Sequence, residues 1–190
     1  MSTQQRLEFY PVRSARVVST TLLSLSEAKA HLKVEHSDED DLITALIETA
    51  IDAVEKLTGQ LLGSSSCTIY ADAWHSQAFT FGPITAISAV KYYDEGDNLV
   101  TLPAANYWVD LQSQPARITF SAPPAIYSDR HQGVALTATA GHATLPNPLR
   151  QACLLLIGHY YENRQLTQAQ KVTAVPMAVE FLVNPFRLWP

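Results

Sequence analysis

Charge is what this sequence has least of. Asp, Glu, Lys and Arg make up 16% of its 190 residues, against roughly 25% in ordinary soluble domains. Two readings follow. Either Ser, Thr and Gln cover a large core, or part of the apolar surface is met by a partner. What charge there is sums to −5, and no run of Lys or Arg occurs. Gripping nucleic acid takes cations that displace phosphate counterions. A nucleic-acid-binding module is therefore disfavoured.

Cysteine and glycine are also scarce. The two cysteines, Cys67 and Cys153, form no CxxC pair. Nothing indicates a disulfide scaffold, and a reduced cytosolic setting fits. Cys153 lies in the apolar run 149–157 and reads as a small core residue. Seven glycines supply no phosphate-cradling loop, and neither GxSxG nor HExxH occurs. The six histidines are scattered, none paired with a cysteine at metal spacing. No metal and no cofactor is expected. Residues 1–10 are polar and lack the apolar core of a signal peptide. No stretch approaches the ~20 apolar residues of a membrane span. The chain is expected to be soluble and intracellular where it is made.

What is present is an apolar fraction of 47%, enough at this length to bury a real core. Residues 1–21 show no period and read as an arm, flexible or borrowed by a neighbour. Ser24-Leu25-Ser26-Glu27 fits a capping box, with Leu23 and Ala28 as its staple, and opens a helix over 25–33. The acidic run Ser37-Asp38-Glu39-Asp40-Asp41 then complements the dipole of a second helix. That helix spans 39–58, carries Leu46, Ile47 and Ile51 on its apolar stripe, and ends before Gly59.

Between Gly63 and Ala140 the helical period disappears. Short β-rich runs at 67–74, 78–81, 84–93, 99–102, 107–110, 117–120 and 134–140 alternate with turn signals, 94–98 among them as a hairpin loop. Asn147 as N-cap and Pro148 at N1 then open a helix to about Arg164. It is apolar almost all round, so it is buried in the fold or in an interface. Leu155 and Leu156 should meet the stripe of Leu46, Ile47 and Ile51. The polar stretch 165–174 follows. Residues 175–190 turn apolar again, with a short helix after Pro176 that stops before Pro185.

Three constellations invite a chemical reading. His36 with Asp38, Glu39, Asp40 and Asp41 could hold a divalent cation, but a calcium loop alternates its ligands around a glycine kink that this run lacks. A solvated helix start is the plainer account. His159 and Glu162 resemble an acid/base pair. They are also an ordinary i,i+3 contact, and no nucleophile accompanies them. Trp74, Trp108, Tyr92, Tyr93 and Tyr107 could stack on bases. Without flanking cations they read as sheet-packing aromatics.

The order of these pieces resembles a family of head–tail connector (head-completion adaptor) proteins of tailed phages, prophages and gene-transfer particles. The resemblance runs from about Leu22 to Arg187. It is carried by residues 25–34, the acidic 37–41, Val54-Glu55-Lys56-Leu57-Thr58-Gly59, and Ile87-Ser88-Ala89-Val90-Lys91-Tyr92-Tyr93-Asp94. Residues 99–103 and Tyr107-Trp108-Val109-Asp110 continue it, as do Ala140-Gly141, 146–152 and 154–164. Val175-Pro176 and Asn184-Pro185-Phe186-Arg187 resemble the family's tail. It implies a structural, non-enzymatic subunit, formed in the host cytoplasm and placed in the virion neck. There it would form a ring, dodecameric in the virion, below the portal protein. The ring would extend the DNA channel, with DNA only as passing cargo, and receive the next neck or tail protein.

The expected fold is α+β, a helical core of two to three long helices with a small antiparallel β region inserted. The expected organisation is an arm over 1–21, a connector domain over 22–174 with its β insert at about 63–140, and a docking segment over 175–190. Met177, Phe181, Phe186 and Trp189 are the candidate portal-docking residues, since aromatic and Met side chains favour interface centres. Deleting 175–190 should then leave the rest folded but abolish attachment. The rival readings are a neck stopper or tail-terminator protein, which the long helices disfavour, and a small hydrolase using His159 and Glu162.

Overall fold

Ser24 sets the start of the first helix. Its Oγ accepts the amide of Glu27 at 3.2 Å and so caps helix α1, Leu25–Leu32. Leu23 and Ala28 are both buried beside it, as a staple requires. The other half of the capping box is diverted, because the Glu27 carboxylate receives Arg150 instead. Helix α2, Asp40–Thr58, buries Ile43, Ile47, Ala50, Ile51 and Val54, a stripe at helical spacing. It stops at Gly59, whose φ of 70° is open to glycine at little cost. The computed structural model describes residues 11–13, 22–74, 76–79, 81–127, 131–164 and 177–188.

Helix α3, Asn147–Glu162, buries Leu149, Ala152, Cys153, Leu154, Leu156 and Ile157, and α4, Met177–Val183, buries Val179 and Val183. With Leu23, Ala28, Leu62 and Leu145 these side chains make one core. Ile47, Ile51 and Leu156 lie inside it, while Leu46 and Leu155 are only half-buried at its margin. Two expectations are corrected. The helix inventory among the described residues is two long helices and two short ones. Asn147 is the first helical residue rather than the cap, a place taken by Pro146 with extended backbone.

The second unit holds the strands. β2 (Ser65–Ala71), β4 (Ile84–Tyr93), β5 (Leu99–Thr101) and β8 (Val134–Ala140) form an antiparallel sheet with β1 (Pro11–Arg13), in the order β1-β2-β8-β4-β5. Strand β8 is central. Val134, Leu136, Ala138 and Ala140 are buried at every second position, so one face is core. Cys67 is buried here, its thiol directed at the Ala138 carbonyl. Pro11–Arg13 of the expected arm lies along β2, register Val12↔Thr68. The β4–β5 hairpin turns where expected: the Asp94 carboxylate accepts the amides of Gly96 and Asn98, each at 2.9 Å.

A second sheet takes β3 (Gln77–Ala78), β7 (Arg117–Phe120) and β6 (Tyr107–Asp110), in the order β3-β7-β6. The inserted region is antiparallel as expected and supplies four strands of the first sheet, which β1 completes, and all three of the second. Strand β3 is shorter than the run 78–81, and the rest of that run gives buried Phe79 and Phe81. By packing, the described residues fall into two units, one within 64–141 with the β1 segment and Leu188, the other made of 22–63, 142–164 and 177–187.

Candidate functional site

Helix α4 shows two stripes of opposite character. Val179 and Val183, four apart, are buried in the helical core. Met177 and Phe181, also four apart, are 83% and 81% exposed. The same seven-residue helix thus holds on with one face and offers large apolar side chains with the other. The chain continues into a 3-10 turn, Asn184–Phe186, where Phe186 packs against the core and is half-buried. Of the expected docking residues, the structure brings Met177 and Phe181 together, turns Phe186 inward, and leaves Trp189 outside the described residues. Because Val179 and Val183 are core, deleting the segment would remove part of the fold, contrary to the expectation of an intact remainder.

A polar relay fixes the end of this segment. Gln60, buried just past α2, donates from Nε2 to the Phe186 carbonyl at 2.6 Å. Its Oε1 lies 2.6 Å from Nε2 of His142. A carbonyl oxygen can only accept, so His142 must donate from Nε2. Burial lowers the His142 pKa, which favours the neutral ring. The relay joins residues far apart in sequence, and no local pattern announces it.

Two carboxylates of the acidic run, Glu39 and Asp40, have close protein partners. Glu39 receives Arg164 at 2.7 Å and the Tyr161 hydroxyl. The Arg164 guanidinium, closest in effect, and then Tyr161 hold the Glu39 carboxyl below its usual range. Arg164 also lies over the Tyr161 ring, 4.4 Å from its centroid. Asp40 receives Lys29 at 2.6 Å, and exposed Asp38 lies 3.9 Å from His36. Among the described residues no three His, Cys, Asp or Glu side chains come together as metal ligands. The Glu39 contacts clasp the start of α2 to the end of α3, and Lys29–Asp40 ties α1 to α2.

His159 and Glu162 do not form a pair. The His159 ring neighbours Tyr160 and the Asn163 amide, while Glu162 is exposed. The Cys153 thiol is buried and pushed up to about 12, so it stays protonated at neutral pH and is a poor nucleophile. No described helix is long and apolar enough to cross a membrane.

The β-unit aromatics separate into two kinds. Trp74 packs 5.0 Å from Phe120 and 5.4 Å from Tyr92, and its indole N–H donates to the Pro124 carbonyl at 2.8 Å. Tyr107 joins the cluster through Phe120. These are packing aromatics. Trp108 stands apart at 80% exposure, a distinction that sequence reasoning did not draw.

Comparison with known proteins now adds to this geometry. A family model described as "Head completion protein" matches residues 21–178. No curated protein matches the chain in sequence. A chain in the virion of a native gene transfer agent (GTA) particle superposes with TM-score 0.78 at 24% identity, over 95% of this chain and 96% of that one. A chain from the neck of the native GTA particle, computed with C12 symmetry, superposes with TM-score 0.74 at 23% identity over 97% of both. Another, from the neck of the empty particle computed with C6 symmetry, gives 0.74 at 22%, over 95% and 96%. At these identities the likeness establishes a shared fold.

Proposed function

The chain belongs to the head completion protein family, and from that membership we propose that it is a structural head–tail connector subunit that acts by assembling into a ring in the virion neck. The observation that carries this reading is the family match over 21–178, joined to a fold shared almost end to end with chains of phage-like GTA particles. Two of those chains come from necks computed with C6 and C12 symmetry, and a dodecameric ring below the portal is the corresponding assembly for this chain. The ring extends the channel through which DNA passes and presents a surface to the next neck or tail protein.

Charge supports the role of DNA as cargo. A net −5 gives phosphate little to adhere to, as a channel wall requires. The mechanism is assembly rather than catalysis. His159 and Glu162 are separate, the Cys153 thiol is inert, and within the acidic run Glu39 and Asp40 are held by Arg164, Tyr161 and Lys29.

Met177 and Phe181 are the portal-docking residues of this reading. Two large apolar side chains held at one helix spacing on an anchored helix are a pre-ordered surface, which lowers the cost of binding. Imaging tests the proposal. Particles made without this chain should accumulate as DNA-filled heads without tails, and adding the purified protein should restore a ring at the portal vertex. Tailed, infectious particles in its absence would refute the reading.

A further inference from the structure

Among the described residues of the β unit, Trp108 is the largest side chain left in water, at 80% exposure. An ordered strand seldom spends a tryptophan this way, and tryptophan is over-represented among the residues that dominate protein interfaces. Strand β6 lies at the margin of the three-stranded sheet. Trp108 pairs in register with Thr119, and Asp110 pairs with Arg117, so these four side chains share the sheet's outer face. The opposite face is the buried one, marked by Ile118. Ala116, two residues earlier, is also buried and lies on that side. There a small, mainly apolar cleft opens, lined among others by Phe81, Pro83, Leu111, Pro115 and Leu188. One unit thus carries an exposed indole on one side of a thin sheet and an apolar cleft on the other.

A closed ring of identical subunits needs two different patches on each copy, facing different ways, so that each copy offers one and receives the other. We propose that Trp108 of one copy packs against the cleft of the next copy in the ring. This rests on the ring reading above. The cleft is too small to admit a side chain, so the indole would lie against its mouth, where Pro83, Leu111 and Pro115 offer apolar surface, and Asp110 and Arg117 give the indole a polar rim of both signs. The low charge of the chain as a whole fits subunits that cover one another.

The test uses two full-length variants, Trp108→Ala and Leu111→Arg, at a concentration where the wild-type chain forms rings, alone or on portal-bearing capsids. Each variant alone should need at least tenfold more protein to form rings, with an unfolding midpoint close to wild type. Mixed one to one, they should yield heterodimers that do not close. The Leu111→Arg copy still offers Trp108, and the Trp108→Ala copy still offers its cleft, which leaves one competent contact per pair. Sedimentation and native mass spectrometry read the species. Should Leu111→Arg unfold, Leu111→Ser is the milder cleft variant. Trp108→Ala rings at the wild-type concentration, or a mixture of folded variants that stays monomeric, would overturn the contact while leaving the connector reading in place. A wild-type chain that never forms a ring, with or without portal, would overturn both.

Discussion

The side-chain amide of Gln60 donates to the backbone carbonyl of Phe186, 126 positions away, at 2.6 Å. That bond ties the end of the C-terminal segment to the turn that follows α2. Gln60 is buried, and its other amide atom is taken by His142. Replacing Gln60 with Leu would strand a carbonyl and an imidazole N–H at once. An unsatisfied buried group costs about 1–3 kcal/mol, and these two, being part-buried, sit at the low end of that range. We expect Gln60→Leu to lower stability by about 1–2 kcal/mol in urea unfolding, with the slope of the transition unchanged. A loss below ~0.5 kcal/mol would show that water replaces the relay at little cost.

The same relay predicts a pH response. Burial lowers the His142 pKa below that of a free imidazole, which is about 6.5. Protonation therefore favours the unfolded chain. The stability His142 contributes is fully present above pH ~6.5 and is lost as pH falls through the lower, folded value. His142→Gln removes the titrating group. Compared with wild type between pH 7.5 and 5.5, it should show a shallower decline of the unfolding midpoint. Equal slopes would contradict the assignment.

The helical core gives a graded prediction. Ile47 is fully buried in the helical core, whereas Leu46, its neighbour in sequence, is only half-buried at the edge of the same core. Ile47→Ala should cost about 2–5 kcal/mol and Leu46→Ala distinctly less. Denaturant unfolding of the two variants checks the order, and a reversed order would refute the orientation of α2.

Much of this fold is legible in the sequence because its two periods differ so clearly. The stripe Ile43, Ile47, Ile51 and Val54 repeats at helical spacing, and Val134, Leu136, Ala138 and Ala140 alternate. Gly59 and Ser24 mark helix ends through backbone chemistry that few other residues supply. Pairing is another matter. That β8 lies between β2 and β4 follows from packing across long separations, which no local pattern encodes. The capping box was half right for the same reason, since the Glu27 carboxylate found Arg150 across 123 positions. The docking residues were legible as a composition but not as faces. Met, Val, Phe and Leu look alike in a list, and only the core decides that Val179 and Val183 turn in while Met177 and Phe181 turn out.

That division of faces makes the last prediction sharper than a truncation. Removing the segment removes Val179 and Val183, so lost attachment would be confounded with lost stability. The double variant Met177→Ser with Phe181→Ser touches only the exposed face. Surface substitutions of this kind usually change stability by less than ~0.5 kcal/mol, and burying less apolar area in the assembly should weaken docking at roughly 25 cal/mol per Å². We expect thermal unfolding like wild type and co-sedimentation with portal-bearing capsids reduced at least tenfold. Val183→Ala should do the reverse, lowering the unfolding midpoint while the folded fraction still attaches. If the serine pair attaches at wild-type levels, Met177 and Phe181 are not the docking surface. The apolar face of α4 would then have to meet a different part of the neck, the neighbouring subunit or the protein that follows.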